Sequence, residues 1–194
     1  MLFEDLLHHF PNDDDIAPVD DNFPRWTESD GTYAPFIPTS LARVKLALEL
    51  AGCCSGDKVL DLGCGDGRFC VAAVTLFGAQ GGIGIESDET VVVLAEEKRN
   101  AVLGPNSSST VIYTCEDFRE SKLAQDNSIS IVVVFLSPEF GLECKGLLLK
   151  HYNRGARIIA LVFDLSDIKE LIVKEGCNNV DGIWVYQKPT TTKE

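Results

Sequence analysis

The sequence predicts an α/β domain, an open and mostly parallel sheet with helices on both faces. Three observations carry this. From residue 58 onward, short segments apolar on both faces, such as "KVLDLG", "GGIGIE" and "ISIVVVFLS", alternate with longer helix-forming segments; strands buried on both faces belong to parallel sheets covered by helices. The stretch "VLDLGCGDGRF", residues 59–69, joins a buried strand to a helix through a loop with three glycines, the turn by which such sheets approach a ligand. The 194-residue length is that of one domain, large enough to bury about 70% of its unfolded surface without disulfides.

Residues 1–30 read as an acidic, flexible tail. "PNDDDIAPVDDNFP" has three prolines, five acids and little apolar periodicity, and "LFEDLLHHF" before it suits a short amphipathic helix that docks on the domain or on a partner. The domain proper spans 31–189. "TSLARVKLALELAG" is a helix that starts at a Thr/Ser pair and stops at Gly52. Strand and helix then alternate: "KVLDLG", "RFCVAAVTLFG" ending at Gly78, "GGIGIE", and "DETVVVLAEEKRNAVLG" with Asp88 as N-cap and Gly104 as stop. There follow "STVIYTCED" and "ISIVVVFLS" as strands, "PEFGLECKGLLLKHY" as a helix opening on Pro138, "ARIIALVFD" as a strand, "SDIKELIVKEG" as a helix and "DGIWVYQK" as a last strand. Residues 190–194 are a frayed polar tail.

Composition excludes several functions. The seven cysteines are scattered without a CxxC and there are three histidines, so no zinc or other metal site is expected and the thiols are free, as in a reducing compartment. No apolar run is long enough to cross a membrane, and the acidic N-terminus is unlike a mitochondrial presequence; a cytoplasmic or nuclear location is expected. The net charge of −13 repels nucleic acid and favours a cationic partner such as a lysine-rich protein.

The glycine loop selects a ligand class through the acids around it. A dinucleotide would set its pyrophosphate at the helix N-terminus, where Asp61 and Asp66 flank it. Like charges a few ångströms apart cost about 4 kcal/mol at an effective dielectric near 20. S-adenosylmethionine has no phosphate and carries two cationic groups, so the acids suit it. Glu86, ending the second strand, is placed for ribose hydroxyls. Glu116 and Asp117, ending the third, are placed for the adenine amino group, with Phe118 or Ile85 against the ring.

"VLDLGCGDGRF", "GIGIE" and "EDF" together resemble motifs I, post-I and II of the class I S-adenosylmethionine-dependent methyltransferases. The resemblance covers about residues 30–188 and implies a Rossmann-like, seven-stranded, mostly parallel sheet. It implies Thr39, Asp61, Gly63, Gly65, Asp66, Gly67, Glu86, Glu116, Asp117 and Phe118 as cofactor-binding residues. "YAPFIPTS" before the glycine loop and "FLSPE" after the fourth strand narrow it. They resemble the protein-lysine methyltransferases of the ATP synthase c-subunit and adenine nucleotide translocase type and their archaeal broad-specificity relatives. The membrane segment of the mitochondrial members has no counterpart in this sequence, so their membrane-protein substrates are not carried over as an expectation for this chain.

That resemblance implies a lysine amine methylated in an apolar channel. A lysine with a free pKa near 10.4 must lose its proton, at about 4.6 kcal/mol at pH 7; apolar walls and a nearby cation lower that cost, so no dedicated base is required. Tyr33 and Phe36 are expected to wall the channel and Ser137 to help position the amine. Thr39 is expected to cap the first helix and touch the methionine end of the cofactor. The Phe-Leu-Ser-Pro sequence at 135–138 lacks the carboxamide or carboxylate used on amide and adenine nitrogens. The alternatives on the same fold are a small-molecule or RNA methyltransferase, or a cofactor-binding module without catalysis.

Overall fold

The computed structural model describes residues 2–10 and 37–189; Tyr33 and Phe36 lie outside these. The described elements are α1 (Phe3–Leu7), α2 (Leu41–Ala51), β1 (Lys58–Leu62), α3 (Arg68–Phe77), β2 (Gly81–Glu86), α4 (Glu89–Leu103), β3 (Val111–Cys115), β4 (Ile131–Val134), α5 (Pro138–Glu143), α6 (Lys145–Asn153), β5 (Arg157–Leu161) and β6 (Ile183–Tyr186). The sheet runs β3-β2-β1-β4-β5-β6. All pairings are parallel except β5 with β6. The order reverses between β1 and β4, where an open α/β sheet leaves a crevice beyond its strand ends.

Alternation along the strands builds a core on each face. Val59, Ile131, Val133, Ile159 and Leu161 join the side chains of α2 and α3 on one face. Leu60, Leu62, Val132, Val134, Ile158 and Ala160 join Leu148 and Tyr152 of α6 on the other. The expected caps form: Asp88 accepts from the Thr90 N–H at 2.8 Å, and Gly52 and Gly78 close α2 and α3 in the left-handed conformation.

Four expectations are corrected. The sheet has six strands among the described residues, not seven. The helix expected over 166–176 does not form. Leu165, Ile168 and Leu171 recur every third residue and are buried, but they sit in successive turns closed by the Ile168 and Leu171 N–H groups. The Tyr152 hydroxyl accepts from the Ile172 N–H at 3.1 Å, which a helix would give to the Ile168 carbonyl, and the Tyr186 hydroxyl fixes the approach to the segment by accepting from the Leu165 N–H at 2.7 Å. Val173 then makes a single antiparallel bridge to Tyr186, a one-residue remnant of a further strand. The helix expected over 138–152 is two helices, broken at Cys144. Ser40, not Thr39, caps α2, accepting from the Arg43 N–H at 3.3 Å.

Part of the segment expected to be a tail is packed. Leu6 and Phe10 are fully buried in the same core as Leu41 and Val44. This is the docked reading of "LFEDLLHHF", one of the two the sequence left open.

Candidate active site at the carboxyl rim of the sheet

Beyond the carboxyl ends of β1 to β5 lies a cavity of roughly 240 Å³. One half is framed by the glycine loop, Asp61, Glu86 and residues 116–119, and the other by Phe135, Leu136, Ser137, Phe140 and Phe163. Ile37 and Thr39 close a third side.

The loop between β1 and α3 is shaped by glycine backbone. Gly63, Gly65 and Gly67 have φ of 74°, 53° and 79°, a region that residues with side chains occupy at a cost. Gly63 and Cys64 donate to the Ile85 carbonyl at 2.9 and 3.0 Å, tying the loop to β2. Gly63 and Gly65 line the cavity. Gly67 serves packing instead: a Cβ there would lie 2.1 Å from the Tyr113 hydroxyl, which donates to the Gly67 carbonyl at 2.9 Å.

The acids predicted for the site all come to the cavity wall, in different states. Asp66 is fully buried and held by Nε and Nη2 of Arg68, at 2.9 and 2.8 Å, and by Lys98 at 2.6 Å. Burial alone would raise its pKa; Arg68 and then Lys98 outweigh that and hold the carboxyl below its ordinary range. The Arg68 guanidinium also donates to the Thr39 carbonyl, fixing that rim residue to the loop. The Phe10 ring packs on this cluster, with Lys98 Nζ 5.0 Å and the Arg68 guanidinium carbon 5.8 Å from its centroid.

Glu86 accepts from the Gly65 N–H at 3.1 Å through one oxygen and from the Ser87 and Asp88 N–H groups at 2.8 and 3.2 Å through the other. Asp117 is clasped by Arg119, which also reaches Glu143 at 2.7 Å. Glu116 accepts from the Ser121 hydroxyl at 2.6 Å. Asp61 stands apart. It is 4% exposed and lines the cavity, and no described residue donates a hydrogen bond to it. Burial first, then the neighbouring Glu86 and Asp66 charges, push its pKa well above the carboxylate range. A buried carboxylate in this state is stabilised by a cation entering the cavity. The donor set therefore fits a ligand with a positive group at Asp61.

The opposite half carries aromatic carbon. Phe135, Leu136 and Ser137 follow β4, as the sequence indicated, and Ser137 is the N-cap residue of α5. Phe140 and Phe163 were missed. Phe163 sits inside "ARIIALVFD", read as continuous strand, but β5 stops at Leu161. Val162 has φ 65°, an outlier for a β-branched residue of a kind that costs about 1–3 kcal/mol. The Phe163 N–H folds back to the Leu161 carbonyl at 2.7 Å, making a γ-turn about Val162.

Comparison with known proteins agrees with this architecture. A curated protein-lysine N-methyltransferase of Saccharolobus islandicus is 29% identical over 158 residues, covering 79% of this chain and 93% of the relative. An RNA methyltransferase of Salinibacter ruber, solved with S-adenosyl-L-homocysteine, has TM-score 0.65 and 24% identity, covering 81% of this chain and 100% of its own. A precorrin 8w decarboxylase of Methanobacterium thermoautotrophicum has TM-score 0.55 and 20% identity, covering 79% and 93%. At these identities the two structures share the fold. The model of the ANTKMT methyltransferase domain matches residues 61–171, more than half the chain, from Asp61 through the glycine loop and the strand ends to beyond Phe163, and the chain belongs to that family.

Proposed function

We propose that this methyltransferase transfers a methyl group from S-adenosylmethionine to the side-chain amine of protein lysines. The observation that carries the reading is the buried Asp61, without a hydrogen-bond donor among the described residues, at one end of a cavity whose other end is aromatic. S-adenosylmethionine supplies an electrophilic methyl group on a sulfonium cation. Asp61 and the glycine-loop backbone at Gly63 and Gly65 hold its amino-acid end, with Thr39 at the rim. Glu86 faces the ribose, and Glu116, Asp117 and Phe118 frame the adenine. Asp66, on the cavity wall, anchors the loop by its ion pairs, and Gly67 supplies the loop's packing contact.

The acceptor enters over β4 and β5. Phe135, Leu136, Phe140 and Ser137 line that end, and Tyr33 and Phe36, ahead of the rim residue Ile37, complete the channel in this reading. Apolar walls disfavour the ammonium form of lysine, and holding the amine in line with the methyl supplies much of the rate. The lysine acceptor follows the archaeal relative. A basic protein suits the net charge of −13, and that charge opposes RNA. No helix among the described residues is long and apolar enough to cross a membrane. The free cysteines suit a reducing compartment, the cytoplasm or nucleus.

The test is transfer of radiolabelled methyl from S-adenosylmethionine into a cell extract, with mass spectrometry of the labelled products. Label on lysine side chains of proteins is expected. Label confined to RNA or small molecules would overturn the lysine reading and leave the methyltransferase one standing.

A further inference from the structure

The strained turn at Val162 has no glycine or asparagine to ease it, and its surroundings hold it in place. β5 and β6 pair Leu161 with Ile183, and the Val162 N–H continues that ladder by one rung, donating to the Gly182 carbonyl at 2.8 Å. Gly182 itself has φ 70°, at the end of a turn in which Asn179 and Asp181 also have positive φ. The Asp181 carboxylate is tied to Arg43 of α2 at 3.3 Å. Val162 is thus pinned from the β6 side while the Phe163 N–H closes back on Leu161. Backbone strain persists where the surrounding structure over-determines it, and it gathers at working sites.

The consequence is a change in where Phe163 goes. Had β5 continued, Phe163 would lie on the same face as Leu161, which is buried in the core with Ile159 and Ile183. The turn takes it off the sheet and into the cavity wall, with Phe135, Leu136 and Phe140. It stands at the β4–β5 end, across the reversal in strand order from Asp61.

We propose that Phe163, aimed by the γ-turn at Val162, is a specificity-determining residue for the methyl acceptor. Its ring packs along the aliphatic arm of the incoming lysine and keeps water from the amine. This rests on the lysine reading above. The cofactor end of the cavity is built by β1 to β3, so Phe163 acts on acceptor binding and not on cofactor binding.

Core histones serve as a lysine-rich probe, with steady-state methylation for the acceptor KM and calorimetry for S-adenosylhomocysteine binding. Phe163→Ala is expected to raise the histone KM about tenfold, the scale of losing apolar contacts in a pocket, while the Kd for S-adenosylhomocysteine stays within about twofold of wild type. Phe163→Leu, keeping part of the apolar wall, is expected to fall between. Val162→Pro cannot hold φ 65° and lacks the N–H given to Gly182, so it is expected to raise the KM in the same sense. An unchanged KM in Phe163→Ala, or an equal loss of S-adenosylhomocysteine affinity, would overturn the inference alone. Failure of the wild type to methylate any lysine would overturn the underlying reading, and the inference with it.

Discussion

The two halves of the sheet's carboxyl rim are made of opposite materials. At the carboxyl ends of β1, β2 and β3 stand Asp61, Glu86, Glu116 and Asp117; at those of β4 and β5 stand Phe135, Leu136 and Phe163. A methyltransferase acting on an amine needs both. The donor is a cation and is stabilised by carboxylates, whereas the acceptor must be neutral and is helped by hydrocarbon. The acidic half divides again. Asp66, Glu86, Glu116 and Asp117 have donors within the protein; Asp61 has none among the described residues and its charged form is penalised by burial. The matched acids have their charge answered by the protein even where they line the cavity, and Asp61 is the one whose charge a ligand would have to answer.

The largest expected effect breaks the matched side of this division. Arg68→Ala leaves the buried Asp66 with Lys98 as its remaining cation and is expected to cost about 3–5 kcal/mol in denaturant unfolding. A loss under about 1 kcal/mol, the range of surface pairs, would contradict the structural role given to Asp66. The sign of the pH dependence follows. Asp66 is lowered in the folded state, so its stabilisation is present above the ordinary carboxylate pKa and is lost as pH falls through the folded value.

Next comes Gly67→Ala, which meets both a positive φ and the Tyr113 hydroxyl; a loss of about 1–3 kcal/mol from backbone strain alone is expected. An alanine tolerated at wild-type stability would mean that Gly67 is not held by Tyr113. The smallest effect sharpens the same point. Tyr113→Phe removes the buried hydrogen bond to the Gly67 carbonyl and is expected to cost about 1 kcal/mol, with weaker S-adenosylhomocysteine binding by calorimetry as the loop loosens. Unchanged stability and binding would show that the bond contributes nothing to the loop.

The acidic half was legible in the sequence because each of its features is local. Apolar runs ending in an acid mark strand ends, spaced glycines mark the loop, and Asp88 and Gly104 bracket a helix. What could not be read depended on partners distant in sequence. Asp66 reads as a cavity acid in the sequence, but its ion pair with Lys98, on α4 and beyond β2 in the chain, is seen only in the fold. The 166–176 segment has helical spacing, but the Tyr152 hydroxyl takes its Ile172 N–H and the Tyr186 hydroxyl takes the N–H of Leu165 just before it. Phe163 was hidden because a turn at a valine gives no local signal. The docking of Leu6 and Phe10 was an open alternative, since a short amphipathic stretch does not name the surface it covers.

The most direct test of the division is a thermal melt of wild type and Asp61→Asn, each with and without S-adenosylhomocysteine. In the folded protein the Asp61 pKa is raised, so its burial costs stability that grows as pH rises from the ordinary carboxylate value through the folded one. At neutral pH the ligand-free variant should therefore melt higher than wild type, by about 2–4 °C for each kcal/mol recovered. The ligand should raise the wild-type melting temperature and leave that of the variant nearly unmoved, because its partner carboxylate is gone. A variant that melts no higher than wild type, yet is stabilised by the ligand to the same degree, would contradict the assignment of Asp61 as the acid held in reserve for the methyl donor.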